Sequence, residues 1–143
     1  MQDTVAICPT QIAQQAAIGA MEAGSDWIRE RVQGLKDNRE IIRNALEKGG
    51  IEKVCGGEGA IYLFARLPNK SKDDSSKSKK QRSPKDWNLA ERLVLEHRIA
   101  VIPGSSCGMP DWIRVCYANL PKEQCEDAAK RLQEGLSAIL PTF

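Results

Sequence analysis

Apolar residues fall at helical spacing in four stretches of the chain, with short apolar blocks between them. Ile12, Ala13, Ala16, Ala17 and Ala20 form the small apolar face of a first helix, opened at Cys8-Pro9-Thr10 and ended by Gly24. Ser25 and Asp26 are good caps for a second, longer helix. Its stripe is Ile28, Val32, Leu35, Ile42 and Leu46, and Gly49-Gly50 stops it. Residues 51–54 read as a short strand. Residues 60–65 are apolar on both faces, which predicts a strand covered on both sides. Gly56, Gly57 and Gly59 supply the turn between the two.

Leu89, Ala90, Leu93 and Val94 mark a third helix. Ser83-Pro84-Lys85-Asp86 before it fits a capping box with proline at the first helical position. Residues 99–103 and 112–117 read as strands. Pro121 opens a last helix with the stripe Cys125, Ala128, Ala129, Leu132, Leu136 and Ile139. The order is helix, long helix, strand, strand, helix, strand, strand, helix, with no internal repeat. That predicts a small α/β domain with a helical lead-in.

At 143 residues the chain is about the size of one domain. Its 41% hydrophobic and 28% charged residues are ordinary for a soluble globular protein. A net charge of +2 gives no argument for a nucleic-acid partner. The charge is uneven, because residues 69–85 hold seven basic residues and two acidic ones. This Lys/Ser-rich run has almost no apolar residue to bury, so it is expected to be a mobile loop. Lys77-Ser78-Lys79-Lys80 within it reads as a solvated charge run before it reads as an import or nucleic-acid signal.

No apolar run is long enough to span a membrane, and Met1-Gln2-Asp3-Thr4 lacks the pattern of a signal peptide. The five cysteines form no Cys-x-x-Cys pair, so neither a disulfide framework nor a metal site is indicated. Reduced thiols and a cytoplasmic location, with no membrane partner, are the expectation.

Arg114 is the position that most invites chemistry. It sits mid-strand in Trp112-Ile113-Arg114-Val115-Cys116-Tyr117 and shares a face with Trp112 and Cys116. Two settings are open to it: an edge strand with the guanidinium in solvent, or a cleft where the fork meets a carboxylate. Gly104-Ser105-Ser106-Cys107-Gly108 lacks the ending of a P-loop and reads as a structural turn. His97, the only histidine, lies near a helix end, where a cation is favoured. A Cys107–His97 pair is conceivable, but nothing in the sequence fixes its geometry. Trp27, Trp87 and Trp112 read as core or interface residues.

Four segments, taken in order, resemble the class I, aspartate-aminotransferase-like enzymes of fold type I. Cys8-Pro9-Thr10-Gln11-Ile12-Ala13-Gln14 is similar to the family's Ser-x-Pro-x-x-x-Gln helix start. Gly59-Ala60-Ile61-Tyr62 is similar to its Gly-Ala-Phe-Tyr strand. Ala90-Glu91-Arg92-Leu93 through Val101-Ile102-Pro103-Gly104-Ser105 resembles its helix followed by Val-x-Val-x-Pro-Gly. Ile113-Arg114-Val115-Cys116-Tyr117-Ala118 resembles its Arg-(Leu/Ile)-x-(Tyr/Phe)-Ala strand. Residues 69–85 look like an insertion. Within the family, plant aromatic-amino-acid or methionine aminotransferases look nearest.

The resemblance implies the small domain of a fold-type I transferase. Residues 1–24 would be the tail of the large, cofactor-binding domain, 25–50 the connecting helix and 51–143 the small domain. It implies amino-group transfer between an amino acid and a 2-oxo acid through pyridoxal 5'-phosphate, in a homodimer. It gives Arg114 the substrate α-carboxylate and lets the backbone at Gly59 pass close to the substrate. The Pro103-Gly104-Ser105 turn would shape the entrance, with Cys107 and Met109 where the family commonly has an aromatic and a Gly-rich stretch. The family's Ser-Lys-x-x-x-x-x-Gly-x-Arg motif, which carries the Schiff-base lysine, has no match here. The fragment alone is therefore expected to be inactive. The alternative is a non-catalytic α/β module that pairs with or modulates full-length subunits.

Overall fold

A computed structural model describes residues 9–68 and 84–143. They fall into two compact units, Met1–Gly34 and Leu35–Phe143, divided within a helix.

In the first unit, helix α1 (Gln11–Glu22) starts at Thr10, whose hydroxyl accepts from the Ala13 N–H at 3.3 Å. The second helix, α2 (Gly24–Lys48), begins at Gly24 itself. Ser25 and Asp26 therefore sit inside its first turn and are not its caps. Asp26 instead pairs with Arg29 one turn on, at 2.7 Å, and Arg31 lies over the Trp27 ring. No described side chain before Leu35 is buried. The predicted stripe on α2 accordingly splits: Ile28 and Val32 are half exposed, whereas Ile42 and Leu46 are buried in the second unit.

In the second unit the strands are β1 (Lys53–Gly56), β2 (Tyr62–Arg66), β3 (Ile102–Pro103) and β4 (Trp112–Cys116). They make one antiparallel sheet in the order β1-β2-β4-β3. Helices α3 (Lys85–His97) and α4 (Lys122–Ile139) pack on each other, and α3 also meets β4. The core joins Leu46 of α2, Leu63 of β2, Leu89 and Leu93 of α3, Ile113 of β4, and Leu132, Leu136 and Ile139 of α4, all essentially closed to solvent. Burying each such side chain stabilises the fold by about 1.5–3 kcal/mol. The predicted stripe of α4 is largely its buried face, with Gly135 added and Ala128 at the margin.

Three expectations differ in detail. β2 is not covered on both sides: Leu63 and Ala65 are buried, while Tyr62 and Phe64 on the other face are half exposed. The strand expected over residues 99–103 shrinks to two residues. Arg98 closes α3 in the left-handed region and Ile99 sends its N–H back to the Leu93 carbonyl, so these residues serve as a helix stop. The capping box also fails. Pro84 holds the cap position without a side-chain bond, and Asp86 turns away from its own helix end. Ser83 and most of the Lys/Ser-rich run lie outside the described residues. Lys85, the run's last position, is already helical.

Candidate carboxylate-binding face

One face of the sheet is the core and the other is open. Alternation along β1, β2 and β4 puts Lys53, Cys55, Tyr62, Phe64, Arg66, Trp112, Arg114 and Cys116 on the open face. The register seats Phe64 opposite Arg114, with Ile102 on its other side. Arg114 is half buried, and its guanidinium stands 4.8 Å over the Tyr62 ring. Among the described residues no carboxylate lies within ion-pair reach of it. A guanidinium backed by an aromatic ring and free of an internal acid presents its donor fork to whatever approaches the sheet.

A cavity of about 720 Å³ lies over the same face. Tyr62, Phe64 and Trp112 line it, with Met109, Lys53 and the loop from Cys55 to Ala60 at its edge. Phe64 contacts Tyr62 edge-on and Trp112 at a tilt, each with ring centroids 6.3 Å apart. Arg114 itself is not in the cavity wall; it stands beyond Tyr62. Gly59 is in the wall, and open space surrounds the position a Cβ would take there.

The β1–β2 loop is held from behind. Arg39 donates to the Gly57 carbonyl at 3.0 Å, and Arg43 to the carbonyls of Val54 and Gly56 at 3.4 and 3.2 Å. The Tyr117 hydroxyl donates to the Ala60 carbonyl, and the Tyr117 N–H to that of Ile61. These contacts fix the Gly59 segment against the end of the strand that carries Arg114.

The turn after Pro103 is a short 3₁₀ segment, Gly104–Cys107, closed by Gly108 in the left-handed region. It is a structural turn, as its sequence predicted. A Cβ on Gly104 would lie 2.2 Å from the Met109 carbonyl oxygen and 2.6 Å from that of Trp112, so no side chain fits. Asp86 anchors the turn by accepting from the Ser105 N–H at 2.6 Å.

His97 ends α3 and packs against Gly135 of α4. Among the described residues no hydrogen bond joins it to Cys107, which is exposed and has the Ser106 hydroxyl 3.9 Å from its sulfur. The carbonyl end of α3 is capped by Arg131, which donates to the carbonyls of His97 and Arg98. Trp27 and Trp87 are half exposed, and only Trp112 joins the open face. Two polar residues that hold the site in place, Asp86 and Asn38, carried no functional reading in the sequence. Asn38, buried on α2, donates to the carbonyls of Tyr117 and Leu120 at 3.2 and 2.9 Å.

The profile of the family "Aminotransferase class I and II" matches residues 1–132. The chain is 40% identical over 140 residues to the aromatic aminotransferase ISS1 of Arabidopsis thaliana, covering 98% of this chain and 32% of that protein. It is 30% identical over 132 residues to a probable aspartate/prephenate aminotransferase of Rickettsia prowazekii, covering 92% of this chain and 32% of the relative. The crystal structure of an aspartate aminotransferase from Thermotoga maritima superposes with a TM-score of 0.67 at 29% identity. That match covers 90% of this chain and 29% of the other. The chain thus spans about a third of the length of the relatives it matches.

Proposed function

The chain belongs to the class I and II aminotransferases, and from that premise we propose that its Leu35–Phe143 unit carries the substrate-carboxylate grip of an amino-acid aminotransferase. The whole enzyme would move an amino group between an amino acid and a 2-oxo acid. The observation that carries this reading is Arg114: half buried, ring-backed and without an acid partner among the described residues. A planar fork in that setting takes a carboxylate through two parallel bonds. Gly59, with no side chain at the cavity wall, would let a substrate approach the backbone.

The side chain of the substrate is proposed to be aromatic or thioether. The cavity wall of Tyr62, Phe64 and Trp112 favours it, as does the likeness to a relative named an aromatic aminotransferase. Sulfur and ring edges pack well against such a wall.

Members of this family work with pyridoxal phosphate. The described residues do not make a place for it. Every lysine among them is exposed or half exposed, so none has the desolvated setting that is one way of activating an amine for imine formation. No step through the cofactor is therefore assigned to these side chains. The 143 residues are proposed to be inactive by themselves, and homodimeric assembly and a cytoplasmic location are proposed for the whole protein. A second reading, a module that pairs with full-length subunits, is favoured by the apolar side chains before Leu35. Ile12 is 84% exposed and Met21 81%, a surface that a partner would cover.

The test is steady-state kinetics of the whole enzyme with Arg114→Lys, which keeps the charge and loses the fork. The expected loss is about 2–5 kcal/mol in kcat/KM for amino and oxo acids, with the cofactor spectrum unchanged. An unaltered kcat/KM would defeat the assignment.

A further inference from the structure

The sheet has two outer edges, β1 on one side and β3 on the other. Which backbone groups turn outward follows from one bond. The Tyr117 N–H donates to the Ile61 carbonyl, so Tyr117, Val115 and Ile113 bond toward β2, and Arg114 between them bonds toward β3. Arg114 faces Ile102, which leaves Pro103 as the outward residue of β3. Proline has no N–H to offer a further strand, so that edge is blunt. On the other side the same alternation turns Phe64 and Arg66 toward β1, where they meet Cys55 and Lys53. Val54 and Gly56 are therefore the outward residues of β1.

Their two carbonyls are the ones that Arg43 of α2 takes, at 3.4 and 3.2 Å. One guanidinium thus bridges both outward acceptors of the edge strand. Arg39 takes the next carbonyl, that of Gly57, and is also paired with Glu40 at 2.9 Å. Among the described residues Arg43 has no carboxylate in ion-pair reach. Its hold on β1 is two partly exposed hydrogen bonds at the long end of the usual range. It can swing away without breaking an ion pair among those residues.

The edge under Arg43 is self-complementary. A two-fold axis through Cys55 would set Val54 of each copy opposite Gly56 of the other, as the hydrogen-bonded pairs of an antiparallel ladder. Cys55 would then face its own counterpart in a non-hydrogen-bonded pair, with Cα atoms about 4.5 Å apart. That separation lies within the range a disulfide spans, and Cys55 is exposed. We propose that the outer edge of β1 is a docking surface for a second copy of this chain, and that Arg43 is the guard that keeps it shut. The partner strand is β1 itself, run antiparallel. The inference does not depend on the carboxylate reading of Arg114.

The test measures the rate at which the 143-residue chain forms a Cys55–Cys55 bridge under oxidised glutathione, which accepts the two electrons as two thiols become one disulfide. Peptide mapping identifies the bridge, and sedimentation gives the mass of the product. Arg43→Ala is expected to raise the rate about tenfold over the unaltered chain, the size of two partly exposed hydrogen bonds from a charged donor. Arg43→Lys keeps the charge but cannot span both carbonyls, so it should raise the rate as well. That variant carries the test if the alanine chain fails to fold, which circular dichroism checks. Val54→Pro removes an outward N–H at an edge position where proline is tolerated. Added to either Arg43 variant, it should return the rate to that of the unaltered chain. An unchanged rate in the folded Arg43 variants, a bridge that persists with Val54→Pro, or dimers linked only through other cysteines overturns the proposal.

Discussion

Asp86, wholly buried in the first turn of α3, accepts a hydrogen bond from the Ser105 backbone N–H across 2.6 Å. Its other oxygen, Oδ1, has no partner among the described groups. One buried carboxylate therefore ties a helix start to the turn that follows β3. Asp86→Ala strands a backbone donor and should cost about 1–3 kcal/mol. Asp86→Asn keeps an acceptor and should cost less. Urea denaturation of the 143-residue chain measures both, and an unchanged midpoint for the alanine variant would show that the bond contributes nothing.

Two glycines near the open face should behave oppositely. At Gly104 an added Cβ collides with the carbonyl oxygens of Met109 and Trp112, which are backbone atoms and cannot swing away. Gly104→Ala should destabilise by roughly 3 kcal/mol or more, through overpacking. At Gly59 nothing stands within 4 Å of the new atom. Gly59→Ala should change stability by under about half a kcal/mol, while it intrudes on the cavity wall. Thermal melts of the pair decide the matter, and similar losses in both would contradict this geometry.

The sequence made some of this visible and hid the rest, for identifiable reasons. The α4 stripe and the alternation around Arg114 were legible because each element buries one face against the same core. The two-sided apolar look of β2 misled, because Tyr62 and Phe64 floor an open cavity in this unit and are not under a second layer. Ile28 and Val32 continue the helical period of α2 without a core beneath them. Asp86 read as a helix cap because its partner, Ser105, is 19 residues away. Asn38 sits at core spacing between Leu35 and Ile42, so a polar residue on an apolar stripe was the available signal. Its acceptors, 79 and 82 residues on, could not be read from the period.

That asparagine offers a further test. Asn38→Ala leaves the carbonyls of Tyr117 and Leu120 without their donor, in a buried place. A loss of about 1–3 kcal/mol is expected. Asn38→Leu supplies apolar volume but no donor and should not recover it. Full recovery by leucine, in a denaturant titration, would mean that packing and not hydrogen bonding is what the asparagine provides.

The thiols should differ in reactivity by position. Cys55 and Cys107 are exposed, Cys116 is half buried and donates to Asn119 Oδ1 at 3.3 Å, and Cys125 is buried against the Asn38 carbonyl. Burial pushes the Cys125 thiol above its ordinary range, and the neighbouring Glu126 adds to the shift. The folded chain therefore keeps a proton that the unfolded chain releases. Stability from this group is fully present below the unfolded thiol pKa of about 8.5 and is lost as pH rises through the higher folded value. Alkylation at neutral pH should mark Cys55 and Cys107 first and Cys125 last, at the rate of local opening. Denaturation midpoints at pH 7.5 and 9.5 should fall more for the unaltered chain than for Cys125→Ala, since the variant has no proton to lose there. Parallel falls in the two chains, or early labelling of Cys125, would show that this thiol is neither shielded nor shifted in the fold.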